Sequence, residues 1–98
     1  MADVLTTETV TETLADLPGW RYDDGSITRT ATMPTFLAAI AVVGDVGGVA
    51  EEMDHHPDID IRWRKLVFRC ATHSAGGVTD LDLRLAAQIN TIVGKHGG

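Results

Sequence analysis

Val10, Leu14 and Leu17 recur at intervals of four and three, which places them on one face of a helix over residues 5–17. Thr and Glu residues crowd its start. There hydroxyls cap free N–H groups and carboxylates meet the positive end of the helix dipole. Pro18-Gly19 ends it. The period then changes. Trp20, Tyr22, Ile27, Thr28 and Thr30 flank Asp24-Gly25, a two-residue turn signal, and predict a β-hairpin over 20–32. Residues 34–53 return to helical spacing, with Pro34 in the first turn and Phe36, Ile40, Val43, Gly47, Ala50 and Met53 as the apolar stripe. Gly44, Gly47 and Gly48 each weaken a helix by up to about 1 kcal/mol against Ala, and read as points of close packing.

A polar corner, Asp54-His55-His56-Pro57-Asp58, follows this helix. Ile59, Ile61 and Trp63 then fall on one side and Asp60, Arg62 and Arg64 on the other, the pattern of a half-buried strand over 59–64. Residues 66–72 predict its neighbour, with Leu66, Phe68 and Cys70 facing the core, and 73–77 predict a loop. The last helix covers 79–93. Thr79 is its N-cap, Asp80 and Asp82 lie in its first turn, and Leu85, Ile89 and Ile92 form its stripe. The order α-β-β-α-β-β-α predicts an α+β fold, a four-stranded antiparallel sheet with helices packed on one face. Open sheet edges offer a route to pairing between subunits.

The 98 residues make a single domain, 1–98. A chain of this length buries roughly 60–65% of its unfolded surface, so association is a natural way to bury more. Its 44% hydrophobic and 22% charged residues exclude wholesale disorder. The net charge of −6 argues against nucleic acid and anionic membrane partners, and leaves neutral small molecules open. The longest apolar stretch, residues 36–44, is too short to cross a bilayer. Cys70 is alone and cannot close an intramolecular disulfide. The start is acidic (Asp3, Glu8, Glu12, Asp16) rather than basic and apolar, so a cytoplasmic location is expected.

Chemistry concentrates at element ends. His55 and His56 follow the long helix and His73 follows the last strand, and a helix-on-sheet layer can bring both ends to one rim. Imidazole exchanges protons near neutral pH. Glu51, Asp54 and Asp58 surround the histidine pair, and a carboxylate can fix an imidazole tautomer or favour its charged form. Trp20, Tyr22 and Trp63 can stack on a flat heterocycle, although Trp20 and Trp63 read more readily as core than as a ligand platform. The histidines and carboxylates are also acceptable zinc or iron ligands. Adjacent histidines diverge on a regular element, however, and chelate together only in an irregular turn. A thiol facing the core, as at Cys70, is a poor nucleophile. GxSxG, P-loop and GxGxxG motifs are absent.

Residues Glu51-Glu52-Met53-Asp54-His55-His56-Pro57 resemble the E-x-x-x-H-H-P signature of the pterin-4a-carbinolamine dehydratases. Ala71-Thr72-His73, beginning fifteen residues after His56, is similar to that family's Thr-His strand end. Gly77-Val78-Thr79 with Asp82 and Leu85-Ala86 resembles its G-[LV]-[ST]-x-x-D-x-x-L-A helix start, and Gly19-Trp20 its early Gly-Trp. The resemblance covers about residues 14–93. It implies dehydration of a 4a-hydroxytetrahydropterin, the spent cofactor of aromatic amino acid hydroxylases, to the quinonoid dihydropterin, with no metal or organic cofactor. Carried over by position, His55, His56 and His73 are the catalytic histidines. Glu51, Asp54, Ala71, Thr72, Ser74, Trp20 and Asp82 are the substrate-binding positions. A homodimer or homotetramer is implied. Other implied roles are a dimerisation cofactor for transcription factors, or action on another pterin such as a molybdopterin-related compound.

Overall fold

Three helices and four strands follow in the expected order: α1 (Thr7–Leu14), β1 (Trp20–Asp23), β2 (Ser26–Thr32), α2 (Phe36–Met53), β3 (Asp58–Arg62), β4 (Lys65–Cys70) and α3 (Asp80–Lys95). The structure, a computed structural model, describes residues 3–98. The strands form one antiparallel sheet in the order β1-β2-β4-β3, which leaves β1 and β3 as edges.

The β1–β2 turn is Asp24-Gly25, with φ of 45° and 82°. A type I′ turn needs positive φ at both positions, which is why Asp-Gly suits it. A Cβ built on Gly25 meets open space, so only backbone strain opposes a side chain there. Gly25→Ala should therefore lower stability by about 1–2 kcal/mol in urea unfolding.

Leu66, Phe68 and Cys70 face the core on β4, as their alternation predicts. Ile59 and Ile61 on β3 stand opposite Phe68 and Leu66, and on β2 Ile27 and Ala31 stand opposite Cys70 and Leu66. Val10 of α1, Ala39, Val42 and Val46 of α2, and Leu85, Ile89 and Val93 of α3 complete one buried cluster over this face. Near the far end, His96 Nε2 lies 2.8 Å from an Asp45 oxygen and ties the end of α3 to α2. That bond holds the Asp45 carboxyl below its usual range.

Expectations for three segments need correction. α1 is shorter than residues 5–17: the Thr6 side chain accepts from Thr9 N–H at 3.1 Å and the helix stops at Leu14. On α2 the buried stripe is Ala39, Val42, Val46 and Ala50, while Phe36 and Ile40 are exposed. Pro34 sits outside this helix, because Thr35 is the N-cap. Cβ atoms built on Gly44, Gly47 and Gly48 meet nothing within 4 Å, so close packing within the chain does not explain those glycines. Helix α2 is apolar on more than one side, so two stripes with the same spacing compete. The one made of smaller side chains faces inward.

The third correction concerns Trp63. β3 ends at Arg62, and Arg62↔Lys65 pairing makes Trp63-Arg64 a two-residue hairpin turn. Trp63 has φ of 55° and is 71% exposed. The Arg64 guanidinium stands 4.8 Å from its ring centroid. The turn is anchored through Met33 N–H to Arg64 O at 2.8 Å and Arg64 Nη1 to Met33 O at 3.0 Å.

Candidate active site

The end of α2 sets the histidine pair. Asp54 adopts left-handed geometry (φ 49°, ψ 44°). Asp54 N–H donates to Glu51 O at 3.2 Å and His55 N–H to Ala50 O at 3.0 Å, the paired bonds of a Schellman motif. This reversal sends the two histidines different ways. His55 turns inward and is 9% exposed, with Nε2 2.6 Å from Asp82 Oδ1. His56 remains 57% exposed and hydrogen bonds through Nε2 to the exposed Glu51 carboxylate.

The end of β4 carries the third histidine. Thr72 N–H donates to Gly77 O at 2.9 Å and closes a tight loop that holds His73 and Ser74 at the surface. Antiparallel pairing of Asp58 with Arg69 sets the start of β3 beside the end of β4, so the two histidine-bearing segments leave the sheet at the same rim. The Thr72 hydroxyl points the other way, inward to Asp82 Oδ2 at 2.8 Å.

Helix α3 begins at this junction. Thr79 is its N-cap, as expected, and Asp82 closes a capping box by accepting Thr79 N–H at 2.9 Å. Thr72 Oγ1 and Thr79 Oγ1 are 2.7 Å apart. The Thr72 hydrogen goes to Asp82, so Thr79 is the donor of that pair, while its oxygen accepts from Leu81 N–H at 3.3 Å. One buried carboxylate thus takes hydrogen bonds from the His55 ring, the Thr72 hydroxyl and the α3 cap. Each of its oxygens is satisfied, as a fully buried charge requires.

His55 and Thr72 thus meet on Asp82, which brings the segment carrying Glu51, Asp54 and His56 toward the one carrying Ala71, His73 and Ser74. Two of the expected binding positions sit differently. Asp82 has no exposed surface and touches protein groups only. Trp20 is 6% exposed, and its Nε1–H donates to Asn90 Oδ1 at 2.7 Å. Asn90 lies eight residues beyond Asp82, about 12 Å along α3. Trp20 is thus a core residue at the other end of that helix, because its indole N–H finds its partner there. The role of Thr79 in the network was missed by reading it as a cap alone. The Thr-x-x-Asp spacing was the available signal.

Cys70 is buried next to this junction. Burial pushes its thiol up to about 12, and Asp82 and Asp58 push in the same direction. The folded state keeps the thiol neutral where the unfolded chain, at the reference value of 9.0, ionises it. That contribution is fully present below about pH 9 and is lost as pH rises toward about 12. Native protein should resist a thiol-alkylating reagent at pH 8 and react fully once unfolded in urea. Rapid alkylation of the native state would show that Cys70 is accessible. Among the described residues no three His, Cys, Asp or Glu side chains converge to hold a metal ion. No described helix is long and apolar enough to cross a membrane.

The family profile described as "Pterin 4 alpha carbinolamine dehydratase" matches residues 3–92. A Mycolicibacterium smegmatis protein named "Putative pterin-4-alpha-carbinolamine dehydratase" is 48% identical over 90 residues, covering 92% of this chain and 96% of that one. A Mycobacterium avium protein of the same name is 50% identical, covering 94% and 98%. A crystal structure titled as a transcriptional coactivator/pterin dehydratase from Brucella melitensis superposes with a TM-score of 0.90 at 33% identity, covering 93% of this chain and 99% of that one. A pterin dehydratase-like RuBisCO assembly factor of the alpha-carboxysome shares the fold, with a TM-score of 0.64 at 13% identity, covering 76% and 87%.

Proposed function

Because the chain belongs to the pterin 4 alpha carbinolamine dehydratase family, we propose that it removes water from a 4a-hydroxytetrahydropterin to give the quinonoid dihydropterin. The observation that carries this reading is the meeting of the two histidine-bearing segments on Asp82. In the reaction the C4a–O bond breaks and the oxygen leaves with its electron pair, taking a proton to become water. The N5–H proton is lost, and its bonding pair forms the C4a=N5 double bond. One group must donate a proton and another must accept one, and imidazoles near neutral pH do both. His56 and His73 are exposed, so either can reach the departing hydroxyl as an acid. The Glu51 carboxylate contacts His56 Nε2 and orients that ring. His55 completes the set. Neither metal nor organic cofactor enters these steps.

In this reading the protein works in the cytoplasm as a homodimer or homotetramer and recycles the cofactor of an aromatic amino acid hydroxylase. The test is to generate the carbinolamine with phenylalanine hydroxylase and follow its ultraviolet decay with and without the protein. Acceleration supports the reading, and a folded protein that gives none overturns it. A second reading has a specific observation in its favour. Phe36, Leu37 and Ile40 expose 48%, 76% and 45% of their surface along α2, a face suited to a protein contact. A non-catalytic partner-binding role would leave the carbinolamine untouched. A different pterin substrate would leave it untouched too, yet still bind in the same rim.

A further inference from the structure

The dehydratase reading leaves open which imidazole accepts a proton, and Asp82 bears on that choice. Its carboxylate is 0% exposed and cannot meet a substrate directly. Its Oδ2 is occupied by Thr72 Oγ1–H at 2.8 Å and Thr79 N–H at 2.9 Å. Its Oδ1 is left for His55 Nε2 at 2.6 Å. With Oδ2 accepting from two outside donors, Oδ1 is the acceptor that faces His55, so the hydrogen on that contact is placed on nitrogen. Nε2 is therefore the protonated atom and Nδ1 carries the lone pair. Among the described residues nothing hydrogen bonds to that Nδ1.

We infer that Asp82 is a positioning residue that acts through His55, holding it in the Nε2–H tautomer so that Nδ1 is the acceptor for the N5 proton of the substrate. The inference rests on the dehydratase reading. When Nδ1 takes that proton, the N5–H pair becomes the new C4a=N5 bond and His55 becomes an imidazolium next to an ionised carboxylate. The charge that develops is thus met by a fixed opposite charge. The acid role falls to the exposed imidazoles, since in this tautomer the only N–H of the His55 ring is turned into the protein. The segment that carries Thr72 also carries His73, so the same carboxylate fixes the acceptor and anchors the loop of a candidate donor.

The test reads the tautomer directly. Two-bond 15N–1H correlation spectra of 15N-histidine protein, assigned with single His→Gln variants, should show His55 with Nε2 protonated and Nδ1 bare. Adding 7,8-dihydrobiopterin should shift the Nδ1 resonance and leave Nε2 protonated. In Asp82→Asn the amide oxygen serves Thr72 and Thr79, and the amide nitrogen donates to His55 Nε2. The ring should then switch to the Nδ1–H form. With it kcat should fall by roughly 10²-fold or more while KM changes far less.

A wild-type His55 protonated on Nδ1 overturns the inference, and needs no variant and no substrate. So does a bound pterin that leaves Nδ1 unmoved, or an Asp82→Asn protein that switches tautomer yet keeps its kcat. Should Asp82→Asn fail to fold, the wild-type spectrum and the pterin titration decide. Absence of turnover by the wild type overturns the dehydratase reading instead, and is seen before any Asp82 variant is made.

Discussion

His56→Ala and His73→Ala should each lower carbinolamine turnover by roughly 10²–10⁴-fold, the range that one positioned acid or base supplies. Both side chains are exposed, and His73 makes no side-chain hydrogen bond within the described residues. Stability should therefore stay within about 0.5 kcal/mol of wild type, as for most surface substitutions. The separation of the two effects is the content of the prediction: circular dichroism melts should overlay while initial rates differ by orders of magnitude. His55→Ala should behave differently. It leaves the buried Asp82 Oδ1 without its partner. An unpaired buried charge is expensive, so that variant should lose both stability and activity. If His56→Ala and His73→Ala both turned over normally, the rim would not be the active site. The histidine cluster would then have to be explained by ligand binding alone.

Phe68→Ala should cost about 3–5 kcal/mol. Phe68 has no exposed surface and sits on a central strand, between Arg29 of β2 and Ile59 of β3. Its ring meets the cluster to which all three helices contribute. A domain of this size has about 5–15 kcal/mol in total, so the variant should be marginal at room temperature. Urea unfolding followed by far-ultraviolet circular dichroism measures it. A loss under about 1 kcal/mol would mean that the site collapses around the deletion, and that β4 is not the packed centre of the sheet. The same unfolding should be run at several protein concentrations, because association would raise the apparent stability with concentration.

Legibility followed the range of the interactions. The β1–β2 hairpin was readable because Asp24-Gly25 states its turn type locally. α3 was readable because Thr79, Asp82 and the Leu85-Ile89-Ile92 stripe agree with one another. The β3–β4 turn was not readable. Trp63-Arg64 carries no glycine or asparagine, and Trp63 continues the alternation of Ile59 and Ile61 into a turn that only the pairing with β4 imposes. The inward face of α2 was misread for a similar reason. Both Phe36-Ile40-Val43 and Ala39-Val42-Val46 have helical spacing, and the choice between them rests on what α2 meets in space.

The histidine site divides in the same way. Residues at element ends, a polar corner and a distant Thr-His allow three imidazoles to share one rim, and the family resemblance pointed to the same residues. Their inequality came only from tertiary structure. The left-handed turn at Asp54 buries His55 and leaves His56 in solvent, and helix α3 delivers Asp82 to the buried one. Spacing along a chain specifies which side chains share an element end, since helix and strand periods are local. It does not specify which of two neighbours turns inward. That depends on the one carboxylate, contributed from 27 residues away, with which a buried imidazole can pair.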